Sequence, residues 1–309
     1  MTRQRGVALL TALLVVALGV LLAAEAFREV GLDVRRAQTM AVLEQGYQYA
    51  RGLEAWAIAI LADDYEQGGP VDHSQEPWNF GLPVIDVPGG RLTGRLADLD
   101  GRFNVNNLVL GEQRQETQIA IFRRLLTSLG LNPEIAASVV DWQDANTFSE
   151  QRGAEDPAYL RADPPYRAAN RDFAHVSELR LVAGIDAESY ALLEPYVIAL
   201  PVFDQPTPVN VNSAPPELLA ALHGAITPRV AENLYREGNA RYESIEEFLQ
   251  APVLREINVV GLDGLVAVQS RYFLAHGVVE LGDVRQNYYA VLERNGGQAR
   301  TIFHARGVY

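Results

Sequence analysis

The sequence predicts an α+β fold: a long N-terminal helix lying on an antiparallel sheet, with a block of helices inserted into the sheet's connections. Three observations predict it. An apolar stretch near the N-terminus runs without a break into an amphipathic helical pattern. Two β-rich segments stand on either side of a long helical block. That block contains a degenerate internal repeat, which marks it as a unit of its own.

The apolar stretch comes first. Val7 to Ala24 carries no charge, and Thr11 is its one polar side chain. That length nearly reaches the ~20 apolar residues a helix needs to cross a bilayer. Arg3 and Arg5 precede it; Glu25, Arg28 and Glu29 follow it. The basic flank stays in the cytoplasm and sends the remainder outward. A cleaved secretory signal would need a shorter apolar run and a small-x-small site, of which Ala23-Ala24 is a poor version. An ordinary membrane anchor is physically sufficient.

A third reading starts at the junction Arg5-Gly6-Val7. A short basic leader ending in glycine, directly followed by the apolar run, resembles a type IV prepilin or pseudopilin signal. The resemblance implies a leader of residues 1–6, cut by a prepilin peptidase between Gly6 and Val7, and methylation. Most pilins carry Glu at the fifth mature position, where this chain has Thr11. A lone Glu in hydrocarbon is costly and usually pairs with something. In pilins that partner is held to be the amine of the subunit ahead. Its absence here resembles the K-type minor pseudopilins of type II secretion (the GspK family) and implies a subunit at the filament tip.

The helix continues past the membrane. No proline occurs from Val30 to Tyr65, and Met40, Leu43, Tyr47, Ala50, Leu53, Ala57 and Ile60 recur at spacings of three and four. One helix is predicted over 7–67, roughly 90 Å long, with Gly31, Gly46 and Gly52 as points of bending. Gly68-Gly69-Pro70 ends it. A loop is predicted from Gly68 to about Val84. The first β part of the domain, 68–108, then has strands at Arg91–Leu99 and Arg102–Val105, joined by an Asp100-Gly101 hairpin turn. The run Asp98-Leu99-Asp100-Gly101-Arg102-Phe103-Asn104-Val105-Asn106-Asn107-Leu108 resembles a motif of the K-type family at this point.

The inserted helical domain is placed at 109–265. One copy of its repeat carries Asn104-Val105-Asn106, Asn132-Pro133 and Val176-Ser177-Glu178. The other carries Asn210-Val211-Asn212, Thr227-Pro228 and Ser244-Ile245-Glu246-Glu247. Each has a proline just inside a helix start, behind a capping residue. The first copy is longer, which places an insertion at Asp141–Asn170. The copies resemble helix-hairpin-helix or SAM-like units, which elsewhere bind DNA or proteins. Residues 266–309 return to β, with strands at Ala267–Ala275, Gly277–Asp283, Arg285–Arg294 and Ala299–Ala305. A long helix on an antiparallel sheet with a large insertion is the pseudopilin fold as the resemblance implies it for the K-type.

Composition narrows the function. The formal charge of the 309 residues is −13. Such a surface repels phosphate backbones, so no nucleic-acid partner is expected. Without cysteine there is no disulfide framework and no thiol nucleophile. The histidines show neither H-E-x-x-H nor H-x-H spacing, and neither G-x-S-x-G nor a phosphate-binding glycine loop occurs. No enzyme is predicted.

The insertion holds the one dense polar cluster: Asp141, Asp144, Asn146, Ser149, Glu150, Glu155, Asp156 and Asp163. Calcium takes six to eight oxygens, often carboxylates close in sequence. Asp141, Asp144, Glu155 and Asp156 are the candidate ligands, although the spacing is not that of an EF-hand. A solvated loop balanced by Arg152, Arg161 and Arg167 is the plainer reading. The K-type resemblance implies calcium in the inserted domain. It also implies I-type, J-type and H-type pseudopilins as partners, with prepilin peptidase, the inner membrane and secreted substrates. The predicted function is a minor pseudopilin that helps start the periplasmic pseudopilus. The alternative is a membrane-anchored periplasmic protein that uses its helical repeats to bind a protein or DNA.

Overall fold

The computed structural model describes residues 3–257 and 259–307, with side chains from residue 9 onward. Arg3–Gly68 forms one helix of 66 residues, roughly 100 Å long. The side chains at the Gly6–Val7 junction lie outside what is described. Every residue from Leu9 to Ala41 is exposed, and Leu9–Gly68 contains a segment long and apolar enough to cross a membrane. Farther on, Gly46, Leu53, Ala57, Leu61 and Asp64 are buried. These positions lie on one helical face, and that face rests on the sheet. The predicted stripe is therefore divided: Tyr47, Ala50 and the positions after them pack on the protein's own sheet, while Met40 is exposed. Gly69, at φ 90°, ends the helix in the left-handed region glycine adopts freely.

Five antiparallel strands form the sheet: β1 (Leu82–Val87), β2 (Gly90–Asp98), β3 (Tyr272–Leu281), β4 (Val284–Asn295) and β5 (Gln298–Arg306). They lie side by side in chain order. All three tight turns between its neighbouring strands are glycine turns, with positive φ at Gly89, Gly282 and Gly296. In the register, Gly94 of β2 faces Gly277 of β3. A Cβ on Gly277 would stand 2.6 Å from Leu53 Cδ1, and one on Gly94 would stand 3.2 Å from Leu53 Cδ2. The paired glycines make a slot, and Leu53 of the helix fills it. Beside it Ala57, Leu61, Trp78, Leu96, Phe273 and Leu292 form one core cluster, with Trp78 edge-on to Phe273 at 5.3 Å.

Residues 99–271 all lie in the connection between the neighbouring strands β2 and β3. The boundaries predicted at 109 and 265 fall inside that connection. Asp100-Gly101 is not a hairpin turn of the sheet; the chain leaves the sheet there. Phe103–Asn104 instead pairs in parallel with Val197–Ile198. The break predicted between Ala275 and Gly277 is absent: Tyr272–Leu281 is one strand, and Leu53 packs where Gly277 lacks a side chain. The loop predicted to about Val84 ends earlier: Leu82–Val87 is the edge strand β1, where Pro83 is tolerated.

The inserted segment has a separate core running from Phe103 to Val266. Helices Glu116–Ser128 and Ile135–Gln143 belong to one half, Pro216–Leu222 and Pro228–Tyr235 to the other. The same hydrogen bonds occur in both halves. Asn106 Oδ1 accepts from the Phe173 N–H at 2.9 Å, and its amide donates to the Phe173 carbonyl at 3.0 Å. Asn212 does the same to Tyr242, at 2.7 and 3.1 Å. Asn104 Oδ1 accepts from Asn106 N–H, and Asn210 Oδ1 from Asn212 N–H. Each half also has one short parallel pair, the second being Val209–Asn210 with Val266–Ala267. The asparagines thus tie each half's entry strand to a segment far along the chain.

Candidate functional site

Three places carry polar or exposed groups beyond the needs of packing. The first is the helix surface from Leu9 to Ala41, which no other element covers among the described residues. Phe27, Val30, Val34 and Met40 stand out on its part beyond the apolar stretch. Glu25 pairs with Arg28 and Asp33 with Arg36 along the same surface.

The second is the joint between sheet and insertion. Asp98, at the end of β2, accepts from Ser213 Oγ, from Ser270 Oγ at 2.8 Å and from the Asn210 amide at 3.1 Å. Asp100 accepts from the backbone N–H groups of Arg271 and Tyr272, at the start of β3. Burial, and then the Asp98 charge, push the Asp100 carboxyl well above its ordinary range. Asp72 accepts from Ser270 N–H and pairs with Arg294, which is itself buried. This joint was not found in the sequence; Asp98 and Asp100 were visible only as part of a family motif.

The third is the acidic loop. Asp141 sits in the last turn of Ile135–Gln143, a helix with every residue buried. Its Oδ2 accepts from Glu150 N–H at 3.0 Å and Ser149 Oγ at 3.3 Å, while its Oδ1 is buried without a hydrogen bond. Asp144 accepts from Asn146 N–H at 3.1 Å. Glu155 is 2% exposed, and both its carboxylate oxygens lack a donor. Burial, with the charges of Asp141 and Asp144, pushes the Glu155 carboxyl up to about 7. Burial pushes Asp141 up to about 6, and Asp144 is also raised. Gly153 lies so close to the Asp141 carboxylate that a Cβ there would collide with it.

Buried carboxylate oxygens without donors, as on Asp141 and Glu155, are what a hard cation would satisfy; with Asp144, whose charge acts on Glu155, these residues fit calcium. Asp156 is placed differently. Its carboxylate holds Arg167 at 2.7 Å on one oxygen and Ala168 N–H at 3.1 Å on the other, so each oxygen already has a donor. Arg152 pairs with Glu134 rather than with the cluster. Among the described residues, the carboxylate triple whose oxygens come within 4.8 Å of one another is a different one: Asp64, Asp72 and Glu76.

Residues 101–202 match a family model described as type II secretion system (T2SS), protein K, and residues 209–269 match a second model of that description. The type II secretion system protein K of Pseudomonas aeruginosa is 38% identical over 98% of this chain and 93% of its own length. The chain belongs to the type II secretion K-type minor pseudopilins. The K protein of Aeromonas hydrophila is 31% identical over 94% of this chain and 93% of its own length. Among solved structures, one titled as the GspK-GspI-GspJ complex of enterotoxigenic Escherichia coli superposes with a TM-score of 0.79. It covers 89% of this chain and all of the matched chain, at 24% identity. This K-type pseudopilin therefore has the GspK-like fold, with its apolar helix and antiparallel sheet. The two family matches begin at Gly101 and Val209, where the two halves of the insertion begin.

Proposed function

We propose that this chain is the tip subunit of a periplasmic pseudopilus, anchored in the inner membrane by its long helix, and that it helps initiate assembly for protein export. The observation that carries this reading is the helix from Leu9 to Ala41, exposed along its whole length. Its apolar part suits the bilayer. The remainder, with Phe27, Val30, Val34 and Met40, is left with apolar groups and no cover from its own sheet. Helices of like subunits supply that cover. I-type and J-type pseudopilins are the proposed partners, since the solved GspK relative is in complex with GspI and GspJ; an H-type subunit follows below them. The two-part insertion, read as helix-hairpin-helix-like, widens the subunit beside the sheet, and on this reading no identical subunit stacks on top.

Prepilin peptidase removes residues 1–6 on this reading, and the new N-terminus at Val7 is methylated. Calcium is held by Asp141, Asp144 and Glu155 and fixes the irregular loop that only the first half of the insertion has. Gly6→Val tests the processing. A valine side chain at the cleaved bond blocks the peptidase, so the protein should keep its leader, insert in the membrane and fail in secretion. N-terminal mass and secretion are the readouts. Normal cleavage of that variant, or an intact N-terminus in unmutated protein beside active peptidase, would leave an ordinary membrane-anchored binding protein as the better reading.

A further inference from the structure

The C-terminal end of the long helix holds a second group of carboxylates, separate from the acidic loop. Asp64 lies in the helix's last turns; Asp72 and Glu76 lie on the segment that follows. One oxygen from each comes within 4.8 Å of the others. All three residues are at least nine-tenths buried. Two of their oxygens are buried without any hydrogen bond, Asp72 Oδ1 and Asp64 Oδ2. Glu76 is oriented by donors on its Oε2 only, His73 N–H at 2.9 Å and Trp78 Nε1 at 2.8 Å.

The cationic neighbour is Arg294. It pairs with Asp72 and stands 3.7 Å from Asp64 Oδ2, with its own Nη1 left without a hydrogen bond. One guanidinium against three carboxylates leaves the cluster two charges negative when all are ionised. An open cavity of about 340 Å³, lined by Asp64, Gln67, His73 and Glu76, leads to it from the surface. At the end of a helix, backbone carbonyls without intrahelical partners add further oxygens, and the helix dipole favours positive charge there.

We infer that Asp64, Asp72 and Glu76 form a divalent-cation site for calcium at the end of the long helix. A calcium ion has the charge that cancels the cluster and takes oxygens in flexible geometry, completing its shell with water from the cavity. The site joins three parts of the molecule. Asp64 belongs to the helix. Asp72 is bound to the sheet through Ser270 and Arg294, and its carbonyl accepts from Asn210. Ser74 and Gln75, between Asp72 and Glu76, hold Gly238 and Asn239 of the insertion. The cation therefore locks the helix against the insertion. This inference does not depend on the acidic loop.

The test uses the full chain in detergent with Asp144→Ala and Glu155→Ala, which remove the loop site. Terbium serves as the probe, because Trp78 touches Glu76 and sensitises an ion bound there. Saturable tryptophan-excited emission is expected, displaced by calcium, and Glu76→Gln should weaken terbium binding roughly tenfold or more. Asp64→Asn serves as the second variant if Glu76→Gln does not fold. Absence of saturable emission in the loop-deficient parent, or equal affinity after a folded substitution at either residue, would overturn the inference. Arg294 and protons alone would then balance the cluster.

Discussion

Single residues decide the loop chemistry and the joints of the insertion. Glu155 and Asp141 have folded values near 7 and 6, against roughly 4 for unfolded carboxyls. Their values are raised on folding, so the stability they contribute is full below about pH 4 and is lost as pH rises through 6 to 7. In chelator the protein should thus melt lower at pH 8 than at pH 5. Calcium needs the ionised carboxylates and should raise the melting temperature most at the higher pH. At a hundredfold excess over Kd the gain is about 2.7 kcal/mol. Asp144→Ala with Glu155→Ala should shrink the calcium shift, and magnesium should substitute poorly. A melting temperature indifferent to chelator at pH 8 would leave the loop merely solvated. Asn212→Ala addresses the joints. It leaves the buried N–H and C=O of Tyr242 unpaired, a loss of about 2–4 kcal/mol in denaturant unfolding, and Asn106→Ala should cost the same through Phe173. The acidic residues were legible in the sequence because they cluster in one loop. The role of the asparagines was not, since each partner lies far along the chain and only the fold brings it near.

At the scale of elements, the long helix could be read from periodicity and the last two strands from their β-favouring composition. The start of the sheet could not. Leu82–Val87 is mostly exposed and contains proline, so it lacks the alternation that marks a half-buried strand. The Asp100-Gly101 pair looks like a hairpin turn, but its carboxylate is occupied by the N–H groups of Arg271, just before β3, and Tyr272, its first residue, which no local pattern reveals. The packing of helix on sheet turns on the Gly94–Gly277 pair and Leu53. Gly277→Ala forces a Cβ against Leu53 Cδ1 and should destabilise the domain by about 1–3 kcal/mol. Leu53→Ala in the same chain should recover part of that loss by vacating the slot. A double mutant as unstable as the sum of the two single changes would show that the slot does not govern the packing.

The whole molecule is a folded head on a helix whose other half has no cover. The sheet alone would be a simple meander; the insertion enters at one connection, between β2 and β3, and makes the head broad. That organisation was legible as strands, helices, strands, with the boundaries displaced because the chain leaves the sheet at residue 99, before its helices begin. Met40 is exposed, so Met40→Asp should leave head stability within about 0.5 kcal/mol while weakening partner binding. The central claim is that the exposed helix is completed by other pseudopilins. The most direct measurement is the mass, by light scattering, of the processed full chain mixed in mild detergent with the I-type and J-type subunits of the same system. An equimolar ternary complex, weakened by Met40→Asp, is the predicted result. A chain that stays alone at micromolar concentration beside both partners would contradict the account.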